Sequence, residues 1–163
     1  KGAFGDIGNT KSLFFSSFNT YKFARNYELI ASFNFARILP VKSDLYIRRI
    51  SSVYESSFDI GLQKDKFLFE DDTFAVLIRQ KPYAERGKLE LNLPIGRDKE
   101  RNVQYERKSI SLEPLKRNIS LEFIWFKDLK SGALGSYVEI SKNPFNTNSP
   151  INFSWLFTYK EKF

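Results

Sequence analysis

The side chains that most often do chemistry are scarce in this 163-residue chain. It contains no histidine and no cysteine. That excludes Ser-His-Asp and Cys-His machinery, His-ligated zinc, thiolate metal sites, disulfides and an imidazole pH switch from what the chain can build alone. The Glu70-Asp71-Asp72 triplet has the clustered oxygens that calcium requires, although such a triplet between two strands is more often a solvated turn. Cleavage of a glycosidic bond needs two carboxyl groups about 5–10 Å apart in a cleft, and nothing in the sequence selects two of its 19 acidic residues. A Ser-Lys dyad exists in composition only. Basic residues interleaved with exposed aromatics bind single-stranded nucleic acid; Lys108, Lys116, Arg117 and Lys127 lie near Tyr105, Phe123 and Trp125. Phe123 and Trp125, however, keep strand parity with apolar partners, which fits burial or lipid contact better. No catalytic residue, cofactor, metal ligand or nucleic-acid partner is therefore expected, and the chain is not expected to be an enzyme.

Composition points instead to an alternating β protein. Aromatics make up 17% of the residues, 17 of them Phe, yet mean hydropathy is −0.40, so polar and apolar residues interleave rather than form runs. No stretch approaches the ~18 apolar residues of a spanning helix, and a membrane-spanning role would require a barrel. Net charge is +7, which attracts phosphates of nucleic acid or lipid. The charges are mixed in sign, as in Lys64-Asp65-Lys66 and Arg97-Asp98-Lys99-Glu100-Arg101, which fits a solvated surface better. Residues Lys1 to Asp6 carry no apolar h-region, so no signal peptide is expected there.

Period-two alternation recurs along the chain. Leu13, Phe15, Tyr21 and Phe23 share a parity, as do Tyr27, Leu29, Ala31, Phe33 and Phe35. The same holds for Tyr54, Phe58, Ile60 and Leu62, for Phe74, Val76 and Ile78, for Leu89, Leu91 and Leu93, and for Ile119, Leu121, Phe123 and Trp125. Leu45–Ile50, Lys66–Phe69 and Leu134–Ile140 read as further extended segments, and Pro94–Asn102 as a charged loop. Val103–Leu112 and Leu45–Ser52 lack a purely apolar face, which disfavours lipid contact there, since a mid-bilayer Arg or Lys costs about 2–4 kcal/mol. All prolines are expected between segments, and Gly61 and Gly135 at bulges. The expected fold is all-β and antiparallel: a barrel of about 8–10 strands in one domain, residues 1–163, with a soluble β-sandwich as the alternative.

The last stretch is the most patterned. Ile151, Phe153, Trp155, Phe157 and Tyr159 fall on one face, and Asn152, Ser154, Thr158 and Lys160 on the other, with Leu156 an apolar exception. Phe163 ends the sequence, and Glu161 interrupts the pattern. This stretch resembles the closing strand of bacterial outer-membrane barrels. The resemblance implies that Trp155, Phe157, Tyr159 and Phe163 form the signal read by the barrel-assembly machinery. Trp125, Trp155, Tyr21, Tyr27 and Tyr159 would suit aromatic girdles, or equally a core.

A second resemblance covers residues 54–126 most strongly. Ser57-Phe58-Asp59-Ile60-Gly61-Leu62, Asp72-Thr73-Phe74, Arg79-Gln80-Lys81-Pro82, Gly87-Lys88-Leu89, Leu93-Pro94-Ile95-Gly96-Arg97-Asp98, Tyr105-Glu106-Arg107 and Leu112-Glu113-Pro114 appear in a shared order. Phe4-Gly5-Asp6 is a further landmark. Together they resemble the C-terminal β-domain of subtilisin-like serine proteases of the bacterial autotransporter type. After Pro114 the family's Ser-Gly-Arg-Glu is replaced by Leu115-Lys116-Arg117-Asn118, so no role is carried to that turn. The resemblance implies an outer-membrane anchor or translocator. Its partners would be membrane lipid, the assembly machinery and a protease passenger segment absent from this chain. The alternative is a soluble β-rich interaction or assembly module, secreted or at the cell surface. Burial separates the two: a sandwich hides its apolar faces, whereas a membrane barrel turns them outward.

Overall fold

The computed structural model describes residues 11–42 and 46–161, leaving Phe4-Gly5-Asp6, Leu45 and Phe163 outside. The described residues form eleven strands and one short helical turn, Pro144–Asn146. The strands are β1 (Ser12–Ala24), β2 (Tyr27–Ile38), β3 (Val41–Lys42), β4 (Ile47–Ile50), β5 (Val53–Asp65) and β6 (Asp72–Arg86). They continue with β7 (Lys88–Arg97), β8 (Val103–Ser111), β9 (Ile119–Leu129), β10 (Gly132–Lys142) and β11 (Asn152–Glu161). The all-β, antiparallel expectation holds. The count exceeds the expected eight to ten because β3, two residues long, and the short β4 pair with each other as separate strands.

The chain divides into two compact units. The first, residues 1–15, 35–56 and 84–113, contains a four-stranded sheet in the order β3-β4-β7-β8. Here β7 runs on through Pro94 to Arg97, absorbing part of the expected loop, with a register shift between Pro94 and Gly96. Every residue of β8 is exposed, in line with its lack of an apolar face.

The second unit, residues 16–34, 57–83 and 114–163, carries most of a seven-stranded sheet ordered β1-β2-β5-β6-β9-β10-β11. Among the described residues β1 and β11 are its edges, and the sheet does not close. Continuous register from β6 to β11 sorts the side chains into two faces. Phe74, Val76 and Ile78 lie beside Trp125, Phe123 and Leu121, which lie beside Ser136, Val138 and Ile140, which lie beside Phe157, Trp155 and Phe153. The opposite face aligns Arg79 with Ser120, Leu77 with Glu122, Glu122 with Glu139, and Glu139 with Ser154.

Three local expectations need correction. Pro82 and Pro94 lie inside β6 and β7 rather than between segments. Pro82 lies beyond Gln80, the last β6 residue paired with β9, and past the Lys81 N–H bond to Asn118 O, so its missing N–H interrupts no β6–β9 pair. Gly135 is no bulge, since the β10 register is unbroken on both sides; a Cβ there would meet the Thr158 side chain, Oγ1 at 2.7 Å, while the nearest backbone atom, Trp125 O, lies 3.9 Å away, so the glycine makes room for the Thr158 hydroxyl. Lys66–Phe69 is a turn, because Asp72 captures its backbone amides as described below.

Burial is inverted relative to a water-soluble sheet. Among the described residues the buried apolar side chains are Ala75 and Leu77, whereas Asp72, Gln80, Asn118, Ser120, Glu122 and Ser141 are buried and polar.

Candidate functional site

The buried face of the second unit carries a chain of charged contacts across five neighbouring strands. Ser32 Oγ on β2 donates to Asp59 Oδ2 on β5 at 2.7 Å. Arg79 Nε on β6 donates to Asp59 Oδ1 at 2.6 Å, and its Nη1 lies 3.1 Å from Glu122 Oε2 on β9. Ser120 Oγ donates to Glu122 Oε1 at 3.0 Å. One turn of the ladder away, Lys81 Nζ donates to Glu139 Oε1 on β10 at 2.6 Å, and Tyr137 Oη donates to Glu139 Oε2 at 3.0 Å. Strand alternation explains the convergence: Asp59, Arg79, Lys81, Glu122, Tyr137 and Glu139 occupy the polar parity of their strands, so pairing brings them together.

Glu122 is fully buried, and a buried carboxylate is tolerable only when paired and hydrogen-bonded. Arg79 supplies the counter-charge, hydrogen-bonded to Asp59 and 3.1 Å from Glu122 Oε2, an atom that itself has no hydrogen-bond partner among the described residues, while Ser120 satisfies Oε1. Lys81 is held against Glu139, so its ammonium is engaged in an ion pair. No group of three or more His, Cys, Asp or Glu side chains that could hold a metal occurs among the described residues. The arrangement suits rigid electrostatic filling between strands.

The opposite face is aromatic and open. Phe153, Trp155, Phe157 and Tyr159 on β11 are 64%, 67%, 56% and 54% exposed. Ile78, Ile119 and Ile140 on the adjoining strands are exposed as well. The structure therefore brings three expected signal residues, Trp155, Phe157 and Tyr159, into one row along an edge strand; Phe163 lies outside the described residues. The Trp155 indole N–H donates to Ser136 Oγ at 3.1 Å, which fixes the ring against β10.

The acidic triplet does not converge on one point. Asp72 accepts from the backbone N–H groups of Phe67, Leu68 and Phe69 and from Trp125 Nε1. Glu70 pairs with Lys66 at 2.7 Å, and that hydrogen bond and charge hold its carboxyl below the usual carboxylate range. Of the basic residues weighed for nucleic acid, Arg117 stacks on Tyr83 at 4.7 Å and donates to Gln80 Oε1. Lys127 sits 3.4 Å from the centre of the Phe69 ring.

Sequence reasoning missed the charged ladder and the role of Asp72. The signal was present as ionisable residues on the polar parity of successive strands, Asp59, Arg79, Glu122 and Glu139, and register was needed to align them. The chain matches no family model, no curated protein and no solved structure.

Proposed function

We propose that this chain acts as the outer-membrane β-barrel anchor or translocator of a subtilase-type autotransporter, without chemistry of its own. The reversed polarity of the second unit carries the reading. Fully burying a large apolar side chain is worth about 1.5–3 kcal/mol, and a sheet folding in water would not leave Phe153, Trp155 and Phe157 exposed while enclosing Glu122. In lipid the sign reverses: the aromatic face meets acyl chains, and the charged ladder fills a narrow, polar interior. Three strands have the length for it: β9 and β10 have eleven residues and β11 ten, within the 9–11 that a tilted spanning strand needs, while β1, β2, β5 and β6, at 13, 12, 13 and 15 residues, are long enough to run beyond the hydrocarbon.

In this reading the sheet edges meet in a closed barrel, which leaves no unpaired backbone in lipid. The assembly machinery reads Trp155, Phe157, Tyr159 and Phe163, and a protease passenger is the exported cargo. The exposed strand β8, with Arg107 and Lys108 on opposite parities, faces water. That strand also favours a second reading, a soluble β-rich assembly or interaction module of a secreted protease.

Partitioning tests the choice. Residues 1–163 expressed without detergent are expected to aggregate, then to fold in micelles into a species whose gel mobility changes on heating. A soluble, monodisperse β-rich protein in plain buffer would overturn the anchor reading in favour of the module.

A further inference from the structure

The turn between β5 and β6 holds an exposed apolar tip in a fixed shape. Phe67, Leu68 and Phe69 are 37%, 67% and 51% exposed, although three apolar residues in a water-facing turn gain nothing from exposure. The tip is fixed from beneath. Asp72, 3% exposed, accepts the amide of Phe67 at 2.7 Å, that of Leu68 at 3.1 Å and that of Phe69 at 3.2 Å, with Trp125 Nε1 at 3.0 Å closing its shell. Lys66 enters the turn in the left-handed region, φ 55°, a conformation a lysine adopts only when its surroundings impose it.

The tip continues the aromatic face. Phe67 stacks on Phe74 with centroids 4.6 Å apart. Lys64 Nζ lies 5.5 Å from the Tyr27 ring and 5.4 Å from that of Phe67, and Lys127 Nζ caps Phe69. Three of the neighbouring carboxylates are engaged elsewhere: Glu70 with Lys66, Asp65 with Gln63 and Thr73, and Asp72 with the turn. Among the described residues Lys64 and Lys127 form no ion pair. Two ammonium groups held over aromatic rings beside an apolar tip complement a surface with phosphates above hydrocarbon.

We infer that the Phe67-Leu68-Phe69 turn is a lipid-interface anchor, its apolar tip seated at the boundary of head groups and acyl chains while Lys64 and Lys127 take lipid phosphates. This rests on the membrane reading above and adds to it the level at which one end of the aromatic face meets the head groups. The carboxylate of Asp72 presets the tip, so little ordering cost remains on insertion.

The absence of cysteine makes single-site labelling clean. A nitroxide is attached to Leu68→Cys and, separately, to Phe157→Cys, and collision with oxygen and with a water-soluble nickel complex is measured in vesicles of neutral or mixed anionic phosphatidylglycerol lipid. The label at 157 should be oxygen-accessible in the acyl region, and that at 68 should sit about 5–10 Å into the boundary. The double substitution K64Q/K127Q should weaken the seating of position 68 at the mixed anionic vesicles about thirtyfold, roughly fivefold for each lysine, and so raise the anionic lipid it requires. A label at 157 in lipid with one at 68 in water overturns the anchor turn and leaves the barrel standing. Both labels in water overturn both. An unchanged lipid requirement in K64Q/K127Q overturns the phosphate role.

Discussion

Removing the guanidinium of Arg79 tests whether the charged face is buried in the way described. In Arg79→Met, Glu122 keeps its burial but loses the cation 3.1 Å away. At that separation the gross attraction is about 5 kcal/mol for an effective dielectric constant near 20. Arg79 is itself 37% exposed, so water screens part of that. Stranding one partner of a buried pair costs about 3–5 kcal/mol, and we expect the lower end, about 3 kcal/mol. Asp59 contributes less, since it is 26% exposed and retains Ser32. The second step is R79M/E122Q, which removes the stranded charge and leaves an amide that still accepts from Ser120. It should recover most of the loss, ending within about 1–2 kcal/mol of the parent. The assay is urea unfolding followed by tryptophan fluorescence, in whichever medium holds the protein folded, with equal slopes required of all variants. If R79M costs under about 1 kcal/mol, or if the double variant is no better than the single, Glu122 is not a desolvated carboxylate and the reasoning fails.

Further outcomes follow from other contacts. Asp72→Ala removes the acceptor of three backbone amides and an indole; it should cost about 2–4 kcal/mol and bring amide exchange at residues 67–69 to solvent rates while the centre of β6 stays protected. A Cβ at Gly61 would lie 2.5 Å from Val76 O and 2.7 Å from Leu77 Cγ, so Gly61→Val should lose about 1–3 kcal/mol or more in the same urea assay. Gly96→Ala, with nothing within 4 Å, should change stability by no more than about 0.5 kcal/mol. Replacing Trp155 and Phe157 together by Ser should reduce the yield of heat-modifiable protein in micelles, whereas the same change at the exposed Ile95 and Val103 should not.

Much of the fold was legible because strand alternation is a local property. The parity of Phe74, Val76 and Ile78, or of Phe153, Trp155 and Phe157, is visible without knowing what they pair with. What parity cannot show is which side of the sheet is buried, and here the polar side is, as Glu122 and Ser141 demonstrate. Residues 66–69 read as extended because Phe67 and Phe69 keep strand spacing, while the deciding interaction, Asp72 reaching back to three amides, depends on turn geometry. Pro82 was misplaced for a similar reason: a proline forbids a ladder bond on one side only, and the sequence does not show where the partner strand stops. The ladder of Asp59, Arg79, Glu122 and Glu139 lay beyond reach, since its members are separated by up to 80 residues and meet only through register.

Quenching of Trp155 by lipid tests the central claim most directly. With Trp125→Phe leaving Trp155 as the single indole, the folded protein is placed in vesicles of phospholipid brominated along the acyl chains. A lipid-facing Trp155 is strongly quenched there, is little affected by aqueous acrylamide, and emits at shorter wavelength. Emission that acrylamide quenches and brominated lipid does not would put the aromatic face in water and contradict the membrane-barrel reading.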